Sequence, residues 1–310
     1  MTGMERSDAV INELNIGIIG LDTSHVVAFT KLLNDKNHPF HVKGGKVVVA
    51  FQGGSPNFEL SKSRMEKFTQ ELQENFHIKL VRSLEEVAEE SDAILLESVD
   101  GAVHFEELKK IVAYKKPIFI DKPFTLSSEV ADEMVKLAEE FGTPVMSSSA
   151  LRYAESITKV LQEHNKRVII GADCFGPLEI IDQQQGYFWY GIHMAEMLFA
   201  ILGPGVKSVS TISNEHHDIL TGYWNDGRLG TIRGNRKGNN QFGALIHFEE
   251  GSEYVTINSQ DKPFYASLLE QIIHFFHTGI SNVPLSETKE IIRFIEAAHD
   301  SASVGKPIIL

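Results

Sequence analysis

The chain contains very little cysteine. Cys174 is the only cysteine among the 310 residues, so neither an intramolecular disulfide nor a cysteine-based zinc cluster can form. A lone cysteine with no base motif beside it also favours a structural role over a nucleophilic one. Proteins without disulfides are typical of reducing compartments, and we therefore expect a cytoplasmic protein.

Long apolar runs and basic runs are also missing. No segment approaches the roughly 18 apolar residues of a membrane span, and the N-terminus has no apolar stretch of signal-peptide length. The 29 Lys and Arg residues are outnumbered by 42 Asp and Glu, which gives a net charge of −13. We therefore expect no binding to nucleic acid or to a membrane. A small-molecule ligand remains compatible with this charge, because a cleft carries its own local charges.

The hydrophobic pattern divides the chain into two parts. In the first part, short β-branched runs at 16–19, 47–51, 78–81, 93–96, 118–120 and 144–146 alternate with segments of helical spacing, such as Leu60 to Leu72. This alternation predicts a Rossmann-type doubly wound parallel sheet. Beyond Leu151, strand-like segments follow one another with few helices between them, which indicates an α+β domain with a mostly antiparallel open sheet. We predict an α/β protein with a dinucleotide-binding domain at 13–149 and a substrate and oligomerisation domain at 150–310.

The first strand ends at Gly20 and leads into a helix. This is where dinucleotide-binding proteins hold the pyrophosphate, because the helix N-terminus offers unpaired N–H groups. The G-x-G-x-x-G pattern is incomplete, since Asp22 and His25 stand at the second and third glycine positions. Asp22 and Thr23 are equally consistent with a helix N-cap. The candidate cofactor contacts of this turn are Gly20, Asp22, Thr23, Ser24 and His25.

The end of the second strand does not distinguish NAD from NADP. An acidic residue at this position binds the ribose 2′-hydroxyl of NAD, but the chain has Gln52 and Gly53 there. A 2′-phosphate is therefore not excluded, and Lys62 or Arg64 on the next helix could reach it. A plain glycine turn between strand and helix explains the same residues.

Two further segments resemble a known family. Asp121-Lys122-Pro123 follows a buried strand and resembles the E-K-P motif of the Gfo/Idh/MocA oxidoreductases, the family of glucose-fructose oxidoreductase and inositol dehydrogenase, with Asp121 in place of the glutamate. The segment from Ser98 through Val99 and Asp100 to His104 is similar to that family's T-P-N-x-x-H cofactor loop. It keeps the histidine but lacks the proline and the asparagine. The resemblance extends over nearly the whole chain. It implies that the residues of these two segments contact the cofactor, namely Ser98, Val99, Asp100, His104, Asp121 and Lys122.

The family's D-x-G-x-H-x-x-D motif corresponds to residues 189–196. His193 is kept, but the first aspartate is Trp189. The resemblance implies an NAD(P)-dependent hydride transfer to or from a sugar, cyclitol or related polyol, with Lys122 and His193 beside the carbinol. Because the aspartate is missing, we hypothesise that the phenol of Tyr190 or Tyr187 completes the proton relay.

The resemblance also implies the substrate side and the assembly. Arg152 and Tyr153 resemble the family's substrate-side residues, and Trp189 and Tyr187 are further candidates for contact with the substrate. An arginine at this position could instead only bridge the two domains. A homo-oligomer, either a dimer or a tetramer, is expected from the resemblance.

A second class of function stays open. The chain could be a catalytically silent binding or sensing protein that keeps the fold and the nucleotide, since Asp22, Gln52, Gly101 and Trp189 each replace a residue that the family usually uses. His193 could then be a core histidine on an apolar helix. We expect no metal site: the ligand types at 216–218 are adjacent, neighbouring residues of a strand point to opposite faces, and we expect a solvated loop there.

Overall fold

Six parallel strands form the first sheet. They are β1 (Leu14–Ile19), β2 (Gly45–Phe51), β3 (Lys79–Leu80), β4 (Ala93–Leu96), β5 (Ile118–Ile120) and β6 (Val145–Ser147), in the order β3-β2-β1-β4-β5-β6. The structure is a computed structural model that describes residues 12–258 and 262–310; most of the N-terminal segment assessed above for a signal peptide lies outside the described residues. The strand order reverses between β1 and β4, which is where doubly wound sheets bind ligands. The predicted Rossmann-type sheet is confirmed.

Five helices connect these strands. They are α1 (His25–Asn34), α2 (Glu59–Phe76), α3 (Leu84–Glu90), α4 (His104–Ile111) and α5 (Ser128–Phe141). Ser127 caps α5 by accepting a hydrogen bond from the Val130 N–H, and Gly142 ends the helix at φ +65°, as the sequence predicts. α2 continues four residues beyond the predicted end at Leu72. It stops at His77, which adopts the left-handed conformation (φ 56°) without being glycine.

A seven-stranded sheet forms the second half. After α6 (Glu155–Glu163), its strands are β7 (Ile169–Pro177), β8 (Val206–Ser213), β9 (His217–Trp224), β10 (Leu229–Asn235), β11 (Gly243–Phe248), β12 (Gly251–Thr256) and β13 (Ile308–Ile309). The order is β12-β11-β7-β10-β9-β8-β13. Only β7 and β10 pair in parallel, so the predicted mostly antiparallel sheet is confirmed. Its exposed apolar side chains include Ile212, Tyr254 and Leu229.

Three helices complete the second half. α7 (Gly191–Leu202) and α9 (Leu285–Val304) pack on the second sheet, whereas α8 (Phe264–Thr278) returns to the first domain and packs beside α1. Among the described residues, no helix is both long enough and apolar enough to span a bilayer. The expected solvated loop at 216–218 is wrong for its last two residues. β9 begins at His217, and Asp218 is fully buried and paired with Arg236 at 2.5 Å.

Arg152 links the start of the second half to two of its helices. It lies in a 3-10 turn (Ala150–Tyr153) directly after β6. Its Nε donates to Glu196 of α7 at 2.7 Å, and its Nη2 donates to Glu287 of α9 at 2.5 Å. All three side chains are buried, so each charge depends on its partners for the solvation that water would otherwise provide.

We expect Arg152→Met to lower the free energy of unfolding by about 3–5 kcal/mol, because the change leaves two buried carboxylates without a counter-charge. Urea denaturation followed by circular dichroism measures this loss. Lys136→Met is the control, since Lys136 forms an exposed pair with Glu140 and should cost less than about 1 kcal/mol. Equal small losses in both variants would show that the buried pairs contribute little.

Candidate active site

A small cavity lies where the first sheet meets the second domain. Its volume is about 200 Å³, and it is lined on one side by His25, Asp121 and Lys122 and on the other by Tyr190 and His193. Phe242 and Tyr265 contribute apolar walls. The first group comes from the carboxyl edge of the parallel sheet, where the strands of this fold present their ligand-binding residues. The fold therefore brings together Lys122, His193 and Tyr190, the three predicted catalytic side chains.

Lys122 is buried directly after β5. Only 7% of the residue is exposed, and its ammonium lies 5.3 Å from the centre of the Trp189 ring. This ring stands where the family motif has an aspartate, so Lys122 faces an aromatic surface instead of a carboxylate on that side. The Trp189 ring also packs edge to face against Phe58 and Tyr190. Such a cation–π contact holds an ammonium in place without neutralising it.

His193 is held as a neutral imidazole. Its Nδ1 lies 2.7 Å from the Ser149 hydroxyl, and the Tyr190 ring contacts the imidazole edge to face. Burial, and secondarily the charge of Lys122, hold the pKa of His193 well below its usual value. Because Nδ1 is engaged by Ser149, Nε2 is the ring nitrogen outside this hydrogen bond.

His25, Glu97 and Asp121 form a buried cluster below the cavity. The distance from His25 Nδ1 to Asp121 Oδ2 is 3.0 Å, and that to Glu97 Oε2 is 3.7 Å. Burial raises the pKa of Glu97, and the nearby Asp121 carboxylate raises it further. Burial acts to raise the pKa of Asp121 as well, but His25 and Lys122 lower it overall. Sequence reasoning missed Glu97, although an acidic residue directly after an apolar buried strand is a usable signal.

The glycine turn keeps one feature of a dinucleotide site and changes another. Gly20 adopts φ +88°, and a Cβ there would lie 2.3 Å from the backbone nitrogen of Ser98, so only glycine fits. Asp22 fills the second glycine position. Its carboxylate is fully buried and accepts hydrogen bonds from the Val99 N–H at 2.9 Å and the Ser61 hydroxyl at 2.6 Å.

The remaining cofactor candidates of the turn and the β2 end surround this position. Thr23 accepts a hydrogen bond from the His25 N–H, and Ser24 precedes α1 without a side-chain cap. Gln52 donates to Thr69 at 3.3 Å. Gly53 adopts φ +59° beside Gly20. The turn, the helix start and the β2 end thus lie together, as predicted.

The loop after β4 is fixed by its own hydrogen bonds. The ring nitrogens of His104 contact the Ser98 carbonyl at 2.7 Å and the Phe124 carbonyl at 3.1 Å, and Asp100 accepts from the Ala102 N–H. This arrangement gives His104 a structural explanation. Its predicted role as a cofactor contact stays a prediction.

Glu107 is a second functional candidate that the sequence did not reveal. It lies on α4, accepts a hydrogen bond from Ser98 at 2.8 Å and faces Gly53. Burial raises the pKa of its carboxyl to about 8. The side chain is therefore protonated at neutral pH and adds no full negative charge beside Asp22.

The predicted substrate residues separate into two groups. Trp189 lies against Lys122, next to the cavity. Tyr187 is buried beside Ser213, and Tyr153 donates to Asn282 at 2.7 Å. Arg152 is engaged by its two carboxylates. For the last three, contact with a substrate stays a prediction.

We expect the Glu107→Gln variant to flatten the pH dependence of stability. The wild type has full stabilisation from protonated Glu107 below pH 4.5 and loses it progressively up to about pH 8, because the unfolded chain releases the proton first. The slope is at most about 1.4 kcal/mol per pH unit. Urea denaturation between pH 4.5 and 8 measures it. The control, Glu106→Gln, changes an exposed neighbour and should follow the wild type; a parallel profile for Glu107→Gln would contradict the buried proton.

The first domain matches a family model. Residues 14–149 match the Gfo/Idh/MocA model, described as an oxidoreductase family with an NAD-binding Rossmann fold. The resemblance predicted from the motifs is confirmed over this part of the chain. Comparison of the sequence with curated proteins gives no match.

Solved structures of this class share the fold of the whole chain. GenD2 of gentamicin A biosynthesis, solved in complex with NAD, superposes with a TM-score of 0.79 at 13% identity, covering 100% of this chain and 99% of its own. Myo-inositol 2-dehydrogenase from Lactobacillus plantarum has a TM-score of 0.76 at 16% identity, with 96% and 100% covered. Scyllo-inositol dehydrogenase from Lactobacillus casei has a TM-score of 0.77 at 12% identity, with 96% and 98% covered.

The backbone elements that would hold a nicotinamide dinucleotide are present in this chain. The positive-φ turn at Gly20, the start of α1 and the loop at Ser98 and Val99 stand where such a cofactor is held in this fold. The departure is Asp22, whose buried carboxylate already accepts the Val99 N–H. A diphosphate would therefore contact the helix start without the open backbone that a second glycine provides.

Proposed function

We propose that the protein is an NAD(P)-dependent oxidoreductase that transfers a hydride between the nicotinamide and an alcohol carbon of a sugar, cyclitol or related polyol. The observation that carries the proposal is the placement of Lys122 and His193 in one small cavity at the carboxyl edge of the Rossmann sheet. The match of residues 14–149 to a family model of oxidoreductases with an NAD-binding Rossmann fold supports the proposal. The substrate class follows from the resemblance of the catalytic motifs.

In this proposal the dinucleotide lies along the turn at Gly20, the N-terminus of α1 and the loop at Ser98. When bound, NAD(P) supplies the hydride acceptor or donor. Gln52 and Gly53 at the end of β2 place no carboxylate at the ribose 2′ position, so this end repels neither NAD nor NADP. The cavity holds the reacting carbon close to the cofactor, which is the main contribution of a site of this kind.

Lys122 and His193 have different roles at the substrate oxygen. The Lys122 ammonium donates a hydrogen bond to the oxygen and stabilises negative charge on it as the hydroxyl proton leaves. In the tautomer that donates its Nδ1–H to the Ser149 hydroxyl, Nε2 of the neutral His193 accepts that proton. In the opposite direction the same nitrogen returns the proton. Tyr190 lines the same cavity and can pass the proton on, whereas Tyr187 lies beside Ser213.

A second candidate function is a silent binding or sensing protein. Two observations favour it: the carboxylate of Asp22 at the position that family members leave open, and Trp189 in place of the motif's aspartate. The first weakens the diphosphate contact, and the second removes a proton-transfer group beside Lys122. Nucleotide binding and turnover separate the two functions.

Thermal unfolding with NAD⁺, NADH, NADP⁺ and NADPH tests the cofactor. We expect one pair to stabilise the protein, by about 2.7 kcal/mol at 100 times its Kd. Asp22→Asn should tighten binding roughly tenfold, equal to about 1.4 kcal/mol, because it removes a negative charge near the diphosphate. Asp35→Asn, at the far end of α1, is the charge-matched control. The absence of a shift with all four nucleotides at millimolar concentration would exclude the oxidoreductase proposal.

Turnover tests the catalytic residues once a nucleotide binds. In a screen of sugars and cyclitols, Lys122→Met and His193→Asn should each lower kcat about 10²–10⁴-fold while nucleotide affinity is kept. Tyr190→Phe removes one hydroxyl from the cavity and should lower kcat by a smaller factor. Tyr187→Phe makes the same chemical change outside the cavity and serves as its control. Unchanged kcat in Lys122→Met would assign the chemistry to another site.

A further inference from the structure

Three ligand-type side chains meet below the cavity from three different elements. His25 is the first residue of α1, Glu97 follows β4 and Asp121 follows β5. Glu97 and Asp121 are at most 1% exposed and His25 is 9% exposed. One ligand atom from each lies within 4.8 Å of the other two. The proposed hydride transfer uses none of these side chains.

The separations agree with ligands that share one cation. Two ligands at 2.0–2.2 Å from a metal are about 2.8–3.6 Å apart for octahedral or tetrahedral angles. His25 Nδ1 is 3.0 Å from Asp121 Oδ2 and 3.7 Å from Glu97 Oε2. The third separation, between Glu97 and Asp121, is at most 4.8 Å, so the three atoms have to approach one another only slightly to share one ion.

The same atoms are not satisfied by each other. His25 Nδ1, Asp121 Oδ2 and both oxygens of Glu97 are buried without an aligned hydrogen-bond partner. His25 Nδ1 and Asp121 Oδ2 attract each other as an ion pair at 3.0 Å, but the contact lacks the geometry of a hydrogen bond. Ligands of one cation point at the cation and not at one another, which explains close contact without alignment. Buried polar atoms without partners are otherwise costly.

We propose that His25, Glu97 and Asp121 bind a divalent first-row cation such as Mn²⁺, Fe²⁺ or Zn²⁺. One imidazole nitrogen with two carboxylate oxygens is a donor set that suits these ions. The rings of Phe29 and Tyr265 pack against His25 and fix its orientation, as the surroundings of a metal-binding histidine commonly do.

The neighbouring charges define how the site would work. Once His25, whose pKa Asp121 raises against the effect of burial, has released its proton, its imidazole and the two carboxylates offer two negative charges to a divalent ion. The nearby Lys122 ammonium opposes the ion, and His193, held neutral, does not. The remaining coordination positions face the cavity that His25 and Asp121 line. A water molecule or a substrate hydroxyl or carbonyl oxygen can occupy them. His25 is also a predicted cofactor contact, but the proposed ion is held by the chain's own side chains and does not require a bound nucleotide.

Metal content and metal titration test the site without nucleotide or substrate. After chelation, the full-length protein should bind close to one equivalent of Mn²⁺ or Zn²⁺ by calorimetry. Glu97→Gln should weaken binding at least about 100-fold. Asp173→Asn is the matched control, because Asp173 pairs with His247 on the second sheet at 2.8 Å and offers the same residue types at a partly exposed position.

A structural measurement on the wild type tests the site even if a variant fails to fold. Anomalous diffraction from wild-type crystals grown with Mn²⁺ should place the ion between His25, Glu97 and Asp121. An ion found only at other positions, affinity unchanged in Glu97→Gln but reduced in Asp173→Asn, or no saturable binding at 1 mM cation would each overturn the metal site. Nucleotide binding and turnover are measured in separate experiments on the metal-free protein, so the two proposals fail separately.

Discussion

The structure depends on how it buries charge at the carboxyl edge of the first sheet. Glu97, Asp121, Lys122 and His25 occupy adjacent positions there with little access to water. A buried charge is tolerated only where opposite charges or ions compensate for the lost hydration. The parallel strands supply the positions, because β1, β4 and β5 all end at this edge. The buried charged groups are costly in free energy, but they are also the groups that can act on a ligand in the cavity.

Asp22 shows the same constraint in the glycine turn. Backbone N–H groups and hydroxyls near a helix start are the donors that bind phosphate in nucleotide sites. Here the Val99 N–H and the Ser61 hydroxyl donate to an internal carboxylate. Two hydrogen-bond donors of the groove are thus already used within the protein, and a dinucleotide has to bind to the donors that remain. Glu107 avoids adding to this negative charge by keeping its proton.

The sequence predicts the fold well because the spacing of apolar residues along the chain shows which faces of the strands and helices are buried. The apolar strands at 93–96 and 118–120 are buried on both faces, as a covered parallel sheet requires. Lys122, His193 and Tyr190 could be placed together because their motifs imply a shared edge. Glu97 has only the signal of an acidic residue directly after a buried strand, and Glu107 has none, because its position beside Gly53 depends on a residue far along the chain. His25, Glu97 and Asp121 are separated by long, irregular intervals, so no spacing rule predicts that they meet. The end of α2 was missed because His77 takes the backbone conformation that glycine usually signals.

Trp189 connects the cavity to the charged cluster. A carboxylate at this position would pair with Lys122 and draw the ammonium toward the second domain. The indole face instead attracts the ammonium without neutralising it. On its other side Lys122 interacts with Asp121, whose pKa it helps His25 to lower against the effect of burial. With an indole at the aspartate position of the motif, the carboxylates closest to Lys122 therefore lie on the side of the Rossmann sheet.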